Sequence, residues 1–206
     1  SGAAETVEAF WDGGAQYRVR YQPLETGAYT FKVAAEDPAL SAKQGQFNAT
    51  KPSGATDLDR HGPPIVSPNR RYFVHADGKP WFWLADTAWN GALLSTHEEW
   101  AQYLKVRSAQ RFTAVQIVMT QWRAGRADSN GRLAFRLNGE RLEIDPVFFQ
   151  RMDDRIAAIR KAGLVPVPVM LWALTSHDKE SPGENLATGH AIALARYIQA
   201  RYQAYS

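Results

Sequence analysis

An aspartate, a threonine, a tryptophan and an asparagine, in Asp86-Thr87-Ala88-Trp89-Asn90, directly follow the apolar run Trp81-Phe82-Trp83-Leu84-Ala85. A carboxylate, a hydroxyl and an amide can hydrogen-bond a polyhydroxylated ligand. An indole adds a flat apolar face and one N–H donor. An apolar run without alternation predicts a strand buried on both faces, as in parallel sheets. In (β/α)8 barrels, sites are assembled at the C-terminal ends of such strands. Trp122 and Trp172 fall just past, or at the end of, the next two predicted strands. Asp86, Trp89, Trp122 and Trp172 are therefore expected to converge on one concave surface.

Each candidate has a plainer alternative. Asp86 could instead cap the backbone amides of the following loop. The tryptophans could plug the end of the sheet as core. Gln121, beside Trp122, is the better polar candidate, whereas Gln116 could merely face the interior. His177 lies in the loop after the third strand and could simply be exposed. Asp153-Asp154 sits on a predicted helix, where neighbouring side chains diverge by about 100°, and reads as a solvated pair.

The elements that must position these residues follow from periodicity. Tyr72–His75, turned by Ala76-Asp77-Gly78, predicts a hairpin arm. Ser95 and Glu98 predict a capping box ahead of a helix carrying Trp100, Tyr103 and Leu104. Phe112–Met119 predicts the second buried strand. Asp145-Pro146 predicts an N-cap and first turn, and Gly163 the C′ position, of a helix lined by Phe149, Met152, Ile156 and Ile159. Leu164–Trp172 predicts the third strand, as an apolar run after a capped helix, despite Pro166 and Pro168, each of which removes a ladder donor and looks wrong for a central strand. Glu184–Tyr205 predicts a last helix with Leu194, Ile198 and Tyr202 on one face. Strands alternating with helices imply a parallel sheet. The long connection Arg123–Glu143 contains Leu137-Asn138-Gly139-Glu140, which suggests a type I′ hairpin in an arm that could wall the site.

The N-terminal part differs. Gln16–Tyr21 and Tyr29–Val33 alternate polar and apolar residues, which predicts antiparallel strands with one wet face. Lys51–Pro68 is rich in Pro, Gly, Ser and Asp and reads as a linker or a loop draped over the surface. The expected fold class is α/β plus all-β. A small antiparallel β-sandwich over residues 1–50 and a linker over 51–70 would precede the first three βα units of a (β/α)8 TIM barrel over 71–206.

Bulk properties narrow the function. At 206 residues and 45% hydrophobic, the chain can bury a sizeable core. Its net charge of +3 comes without a Lys/Arg block, so neither nucleic acid nor an anionic membrane is the expected partner. No apolar run approaches the roughly 20 residues of a bilayer span. The absence of cysteine excludes disulfides and thiol chemistry, and the five histidines lack HxH or HExxH spacing. No cofactor or metal is expected. No signal peptide is visible at the start, and Ser1-Gly2 reads as a scar or an arbitrary cut.

Tyr72–Trp89, continued through Leu94, Tyr103-Leu104 and Phe112–Gln116, resembles the apiosidase-like glycoside hydrolases, grouped with the domain of unknown function 4038 and glycoside hydrolase family 140. Their first barrel strand resembles Phe82–Trp89, with glycine more usual at Ala85. Phe10–Gly14, Arg20, Pro23 and Gly27–Tyr29 resemble the β-sandwich that often precedes such barrels. The resemblance implies a bacterial, secreted or periplasmic enzyme acting on side chains of plant or microbial polysaccharides. Asp86, Trp89, Gln121, Trp122, Trp172 and His177 would contact the substrate. It also implies that the catalytic carboxylates lie on later strands, beyond Ser206, so this chain alone should lack turnover. The remainder of the barrel as a second chain, or a second copy, would cover the open sheet. The rival expectation is a non-catalytic carbohydrate-binding or structural subunit.

Overall fold

The computed structural model describes residues 4–23, 25–51, 54–174 and 177–205. In chain order the strands are β1 (Phe10–Trp11), β2 (Tyr17–Arg18), β3 (Gly27–Lys32), β4 (Gln44–Ala49), β5 (Pro64–Val66), β6 (Phe73–His75), β7 (Pro80–Trp81), β8 (Ala85–Thr87), β9 (Ala114–Val118), β10 (Phe135–Asn138), β11 (Arg141–Ile144) and β12 (Val165–Val169). The helices are α1 (Pro38–Ser41), α2 (Asp57–His61), α3 (Gly91–Leu94), α4 (His97–Ala109), α5 (Pro146–Lys161), α6 (Pro182–Asn185) and α7 (Thr188–Tyr202).

The central sheet is parallel, in the order β12-β9-β8. In parallel register, side chains of paired residues point to one face. One face therefore carries the rows Ala85–Ala114–Val165 and Thr87–Gln116–Val167, and the other carries Asp86–Val115–Pro166. The second face is covered by helices. Val115 and Ile117 join Trp100 and Leu104 of α4 and Met152, Ile156 and Ile159 of α5 in the main core. At the N-terminal ends of the strands the first face is closed by Leu58 of α2 and Trp81 of β7, which pack on Ala114 and Val165. Its C-terminal end carries the candidate site.

Several boundaries move for identifiable reasons. The hairpin forms as expected: β6 pairs antiparallel with β7, and Gly78 takes a positive φ of 89° in the turn. The run Trp81–Leu84, however, is not a strand buried on both faces. Phe82, Trp83 and Leu84 are 74%, 45% and 36% exposed, because the chain here leaves the hairpin and crosses to the parallel sheet. Thr113 pins this crossover, its hydroxyl donating to Phe82 O at 2.7 Å and accepting from Leu84 N at 2.9 Å. The parallel strand is instead Ala85–Thr87, so Asp86 lies within it.

The capping box sits one residue later than expected. Thr96 Oγ1 accepts from Glu99 N at 3.1 Å and Glu99 Oε2 from Thr96 N at 2.8 Å, because the Ser95 hydroxyl donates back to Gly91 O to close α3. Asp145, Pro146 and Gly163 bound α5 as expected. The predicted last helix breaks into α6 and α7 at Leu186 and Ala187, whose ψ values of 135° and 146° are extended. Pro166 and Pro168 are tolerated because, among the described residues, β12 pairs only with β9. Val165 N–H bonds Thr113 O on that side at 2.9 Å, so by alternation both prolines face the free edge. In the β10–β11 hairpin, Asn138 pairs with Arg141, which makes Gly139-Glu140 the central residues. Only Gly139 has a positive φ, 60°, which fits the II′ class rather than I′.

The N-terminal residues form two two-stranded antiparallel ribbons, β1–β2 and β3–β4. The predicted linker holds α2 and β5, because Thr56 and Asp59 make a capping box and Leu58 finds a buried site. Of the Asp153-Asp154 pair, Asp154 is exposed as expected but Asp153 is not free. Asp153 binds Arg201 at 2.8 and 2.7 Å and Arg20 at 3.0 and 2.6 Å, while Arg201 also meets Asp12 at 2.8 Å. This network ties the N-terminal segment to α5 and α7.

Candidate functional site

Three indoles meet at the C-terminal end of the parallel sheet. The ring centroid of Trp172 is 4.6 Å from those of both Trp89 and Trp122, and Trp89 and Trp122 are 5.9 Å apart, nearly perpendicular at 83°. Each comes from a different strand end. Trp89 follows β8, its carbonyl accepting Val118 N–H at 3.1 Å. Trp122 follows β9 and closes a tight turn with Gly125, the two exchanging backbone hydrogen bonds at 3.0 Å. Trp172 follows β12, and its carbonyl accepts Gly183 N–H at 2.9 Å. A Cβ at Gly183 would sit 2.8 Å from that carbonyl oxygen, so only glycine lets the loop approach.

The three differ in access. Trp122 is buried at 3% exposure, whereas Trp89 is 37% exposed. Trp122 therefore supports, and Trp89 presents, the aromatic surface. Trp89 Nε1–H makes only a long 3.5 Å contact to Gln116 Oε1. Trp172 Nε1 is buried and finds no acceptor among the described residues. A buried N–H without a partner is uncommon and marks a place where a polar group is missing or strain is held.

The other predicted residues divide. Asp86 does not join the tryptophans. It lies in the row that faces the helices, where its carboxylate accepts from Tyr103 Oη at 2.8 Å and pairs with Arg107, both on α4. Burial pushes its carboxyl up, but the Tyr103 hydrogen bond and the Arg107 charge outweigh this and hold it below the usual range. Burial and the Asp86 carboxylate together raise Tyr103 above its ordinary value. Asp86 thus pins α4 to β8. Gln121 is also a structural residue: Oε1 accepts from Ala134 N at 2.9 Å and Nε2 donates to Phe135 O at 2.8 Å. Both ends of its amide anchor the arm between β9 and α5. Gln116, set aside in the sequence reading, is the amide beside Trp89. The periodicity did place it on the interior face, but not at the open end. His177 is exposed in the loop after β12.

Two loops wall the aromatic cluster. Arg123 lies over the Trp122 ring at 5.7 Å, its backbone N–H reaches Ser181 Oγ at 3.3 Å, and its Nε is 3.6 Å from Asp178. Arg126 binds Glu180 through two bonds of 3.0 and 2.8 Å. The arm is held at its tip by His190 Nε2 against Glu140 O at 2.9 Å. Sequence reasoning missed Asn90 as a structural partner: its Oδ1 accepts Trp122 Nε1–H at 2.7 Å. Among the described residues no group of three or more His, Asp or Glu side chains could hold a metal ion. The surface that remains is aromatic with a few hydrogen-bonding edges, which suits the C–H faces and hydroxyls of a sugar.

Residues 67–206 match the family described as the Apiosidase-like catalytic domain, and residues 1–36 match a domain of unknown function, DUF5060. Among solved structures, a candidate glycoside hydrolase from Bacteroides vulgatus ATCC 8482 is similar over 97% of this chain and 40% of its own, at 20% identity and a TM-score of 0.71. A protein named as a glycoside hydrolase is similar over 73% of this chain and 33% of its own, at 23% identity and a TM-score of 0.60. At such identity these likenesses speak to the mixed α/β fold alone. The chain spans about two fifths or less of the length of either structure. A search of curated proteins found no match.

Proposed function

The chain belongs to the apiosidase-like catalytic-domain family, and from that premise we propose that it forms part of the substrate cleft of a carbohydrate-active glycoside hydrolase. The observation that carries this reading is the convergence of Trp89, Trp122 and Trp172 at the open end of the parallel sheet. Trp89 and Trp172 would stack on sugar rings of an oligo- or polysaccharide side chain. Gln116 would bond a hydroxyl, and Trp122 would hold the other two in place. Asp86 and Gln121 serve this cleft at one remove, by fixing α4 and the arm. His177 would contact only a longer ligand that reaches the rim loop.

On this reading β8, β9 and β12 are the first three strands of a (β/α)8 barrel over residues 71–206, following an N-terminal β-rich part over 1–50 and a connecting segment over 51–70. Glycoside hydrolysis of the usual kind needs two carboxylates flanking the scissile bond. Asp86 is committed to Tyr103 and Arg107, so we assign that pair to strands beyond Ser206. The uncovered interior face of the sheet would then meet the remainder of the barrel, or a second copy of this chain. A polysaccharide substrate also favours a secreted or periplasmic location.

The test is a tryptophan-fluorescence titration of the chain with plant cell-wall oligosaccharides, an apiose-terminated member included. Saturable quenching without release of reducing sugar is expected. Absence of a response to every member would overturn the cleft reading. Turnover by the chain itself would show that the catalytic carboxylates lie within it.

A further inference from the structure

We infer that Asn90 is a positioning residue for the aromatic cleft, acting through the indole N–H of Trp122. The first observation is a local rule broken. Asn90 occupies the N-cap of α3, yet its side chain makes no capping hydrogen bond. Asparagine at this position ordinarily caps the second or third amide of the helix with its side-chain oxygen. Here the amide is turned away from its own helix. Oδ1 accepts Trp122 Nε1–H at 2.7 Å and Nδ2 donates to Ala124 O at 2.9 Å. Departures from local preference that have a specific alternative partner are expected at functional sites.

The second observation is independent. Gly125, which closes the turn after Trp122, has no room for a side chain. A Cβ there would lie 2.8 Å from Asn90 Oδ1 and 3.1 Å from Trp122 Nε1. Gly125 has no positive φ, so it is the close approach of the Asn90–Trp122 hydrogen bond, with Leu93 behind it, that requires a glycine. The turn, the amide and the indole therefore form one unit linking the loops after β8 and β9. Trp122 is nearly perpendicular to Trp89 and 4.6 Å from Trp172. Fixing its plane fixes the two rings packed against it.

Only a side chain with both an acceptor and a donor at this reach satisfies both partners. Alanine leaves the buried Trp122 N–H without its acceptor and lets the ring tilt. This inference rests on the cleft reading, but one of its consequences does not need a ligand. Three indoles in contact should give a coupled near-ultraviolet circular dichroism signal, which depends on the angles between the rings.

The experiment is a double-mutant cycle of Asn90→Ala and Trp122→Phe in this chain, read by oligosaccharide affinity and by near-ultraviolet circular dichroism. The probe is the oligosaccharide giving the largest fluorescence quench with the unmodified chain. Asn90→Ala is expected to weaken binding about tenfold, the scale of one lost buried hydrogen bond. In the Trp122→Phe background, which lacks the indole donor, the same change should cost about twofold or less. The dichroic signal should change with Asn90→Ala alone. Equal losses in both backgrounds, or an unaltered spectrum and affinity, would overturn the assignment. If Asn90→Ala fails to fold, Gly125→Ala displaces the same pair and carries the same expectations. If no oligosaccharide binds the unmodified chain, the cleft reading fails, while the spectrum still decides for or against Asn90.

Discussion

Replacing Arg201 with alanine is expected to destabilise the protein by about 3–5 kcal/mol, the range for breaking a buried ion pair from one side. The Arg201 side chain is fully buried between Asp12, which is 6% exposed, and Asp153, which is 18% exposed. It also donates to Tyr197 Oη at 3.1 Å and stacks at 4.6 Å on the Phe10 ring. Removing it leaves two carboxylates facing each other with only Arg18 and Arg20 to offset them. Phe10, Asp12 and Arg20 all come from the N-terminal segment, so the loss should detach that segment from α7. Arg126→Ala is the control. Its pair with Glu180 is exposed at 79% and 48%, and its loss should cost less than about 1 kcal/mol. Thermal or urea unfolding of the two variants measures the difference.

The same network makes stability depend on acid. Burial pushes the Asp12 carboxyl up, but hydrogen bonds from Arg201 and Gln150 and the charges of Arg201 and Arg18 more than offset it, so it lies below its ordinary value. A carboxyl lowered in the folded state contributes stability that is complete above the unfolded value of about 3.9. That stability is lost as pH falls through the folded value. The unmodified chain should therefore lose stability below about pH 4, and Arg201→Ala should show a shallower loss over the same window.

Trp172→Ala is expected to weaken oligosaccharide binding about a hundredfold, on the scale of a binding hot spot. Trp172 is the central ring of the three, in contact with both others, and its removal also frees Trp89 to rotate. Unfolding measured beside the titration separates lost binding from lost structure. A folded variant with unchanged affinity would take the cleft away from these tryptophans.

The parts of this fold legible from sequence were those dictated by local chemistry. Asp145-Pro146 and Gly163 bound α5 because capping and positive φ are decided within a few residues. The strands at Ala114 and Val165 were visible as apolar runs, and the three tryptophans converge because all follow strands of one parallel sheet. What failed depended on distant partners. Trp81–Leu84 has the composition of a buried strand, but the crossover set by Thr113 turns three of its residues outward. Asp86 follows an apolar run, yet a register one residue different places it on the helix side, where Tyr103 and Arg107 claim it. A shift of one residue in a strand exchanges the two faces. Nothing near Gln121 in sequence signals that Ala134 and Phe135 will bond both ends of its amide. Asp153 looked solvated because its partners, Arg20 and Arg201, lie far away in sequence on either side.

The most direct test of the cleft is the set of indole N–H resonances in a proton–nitrogen correlation spectrum, recorded as the oligosaccharide is added. The chain has seven tryptophans, which give one such signal each. Trp89 and Trp172 should shift most and Trp122 less, with Trp11, Trp81, Trp83 and Trp100 left in place. Shifts confined to Trp81 and Trp83, with the other three unmoved, would put the ligand at the hairpin side of the sheet and contradict the account.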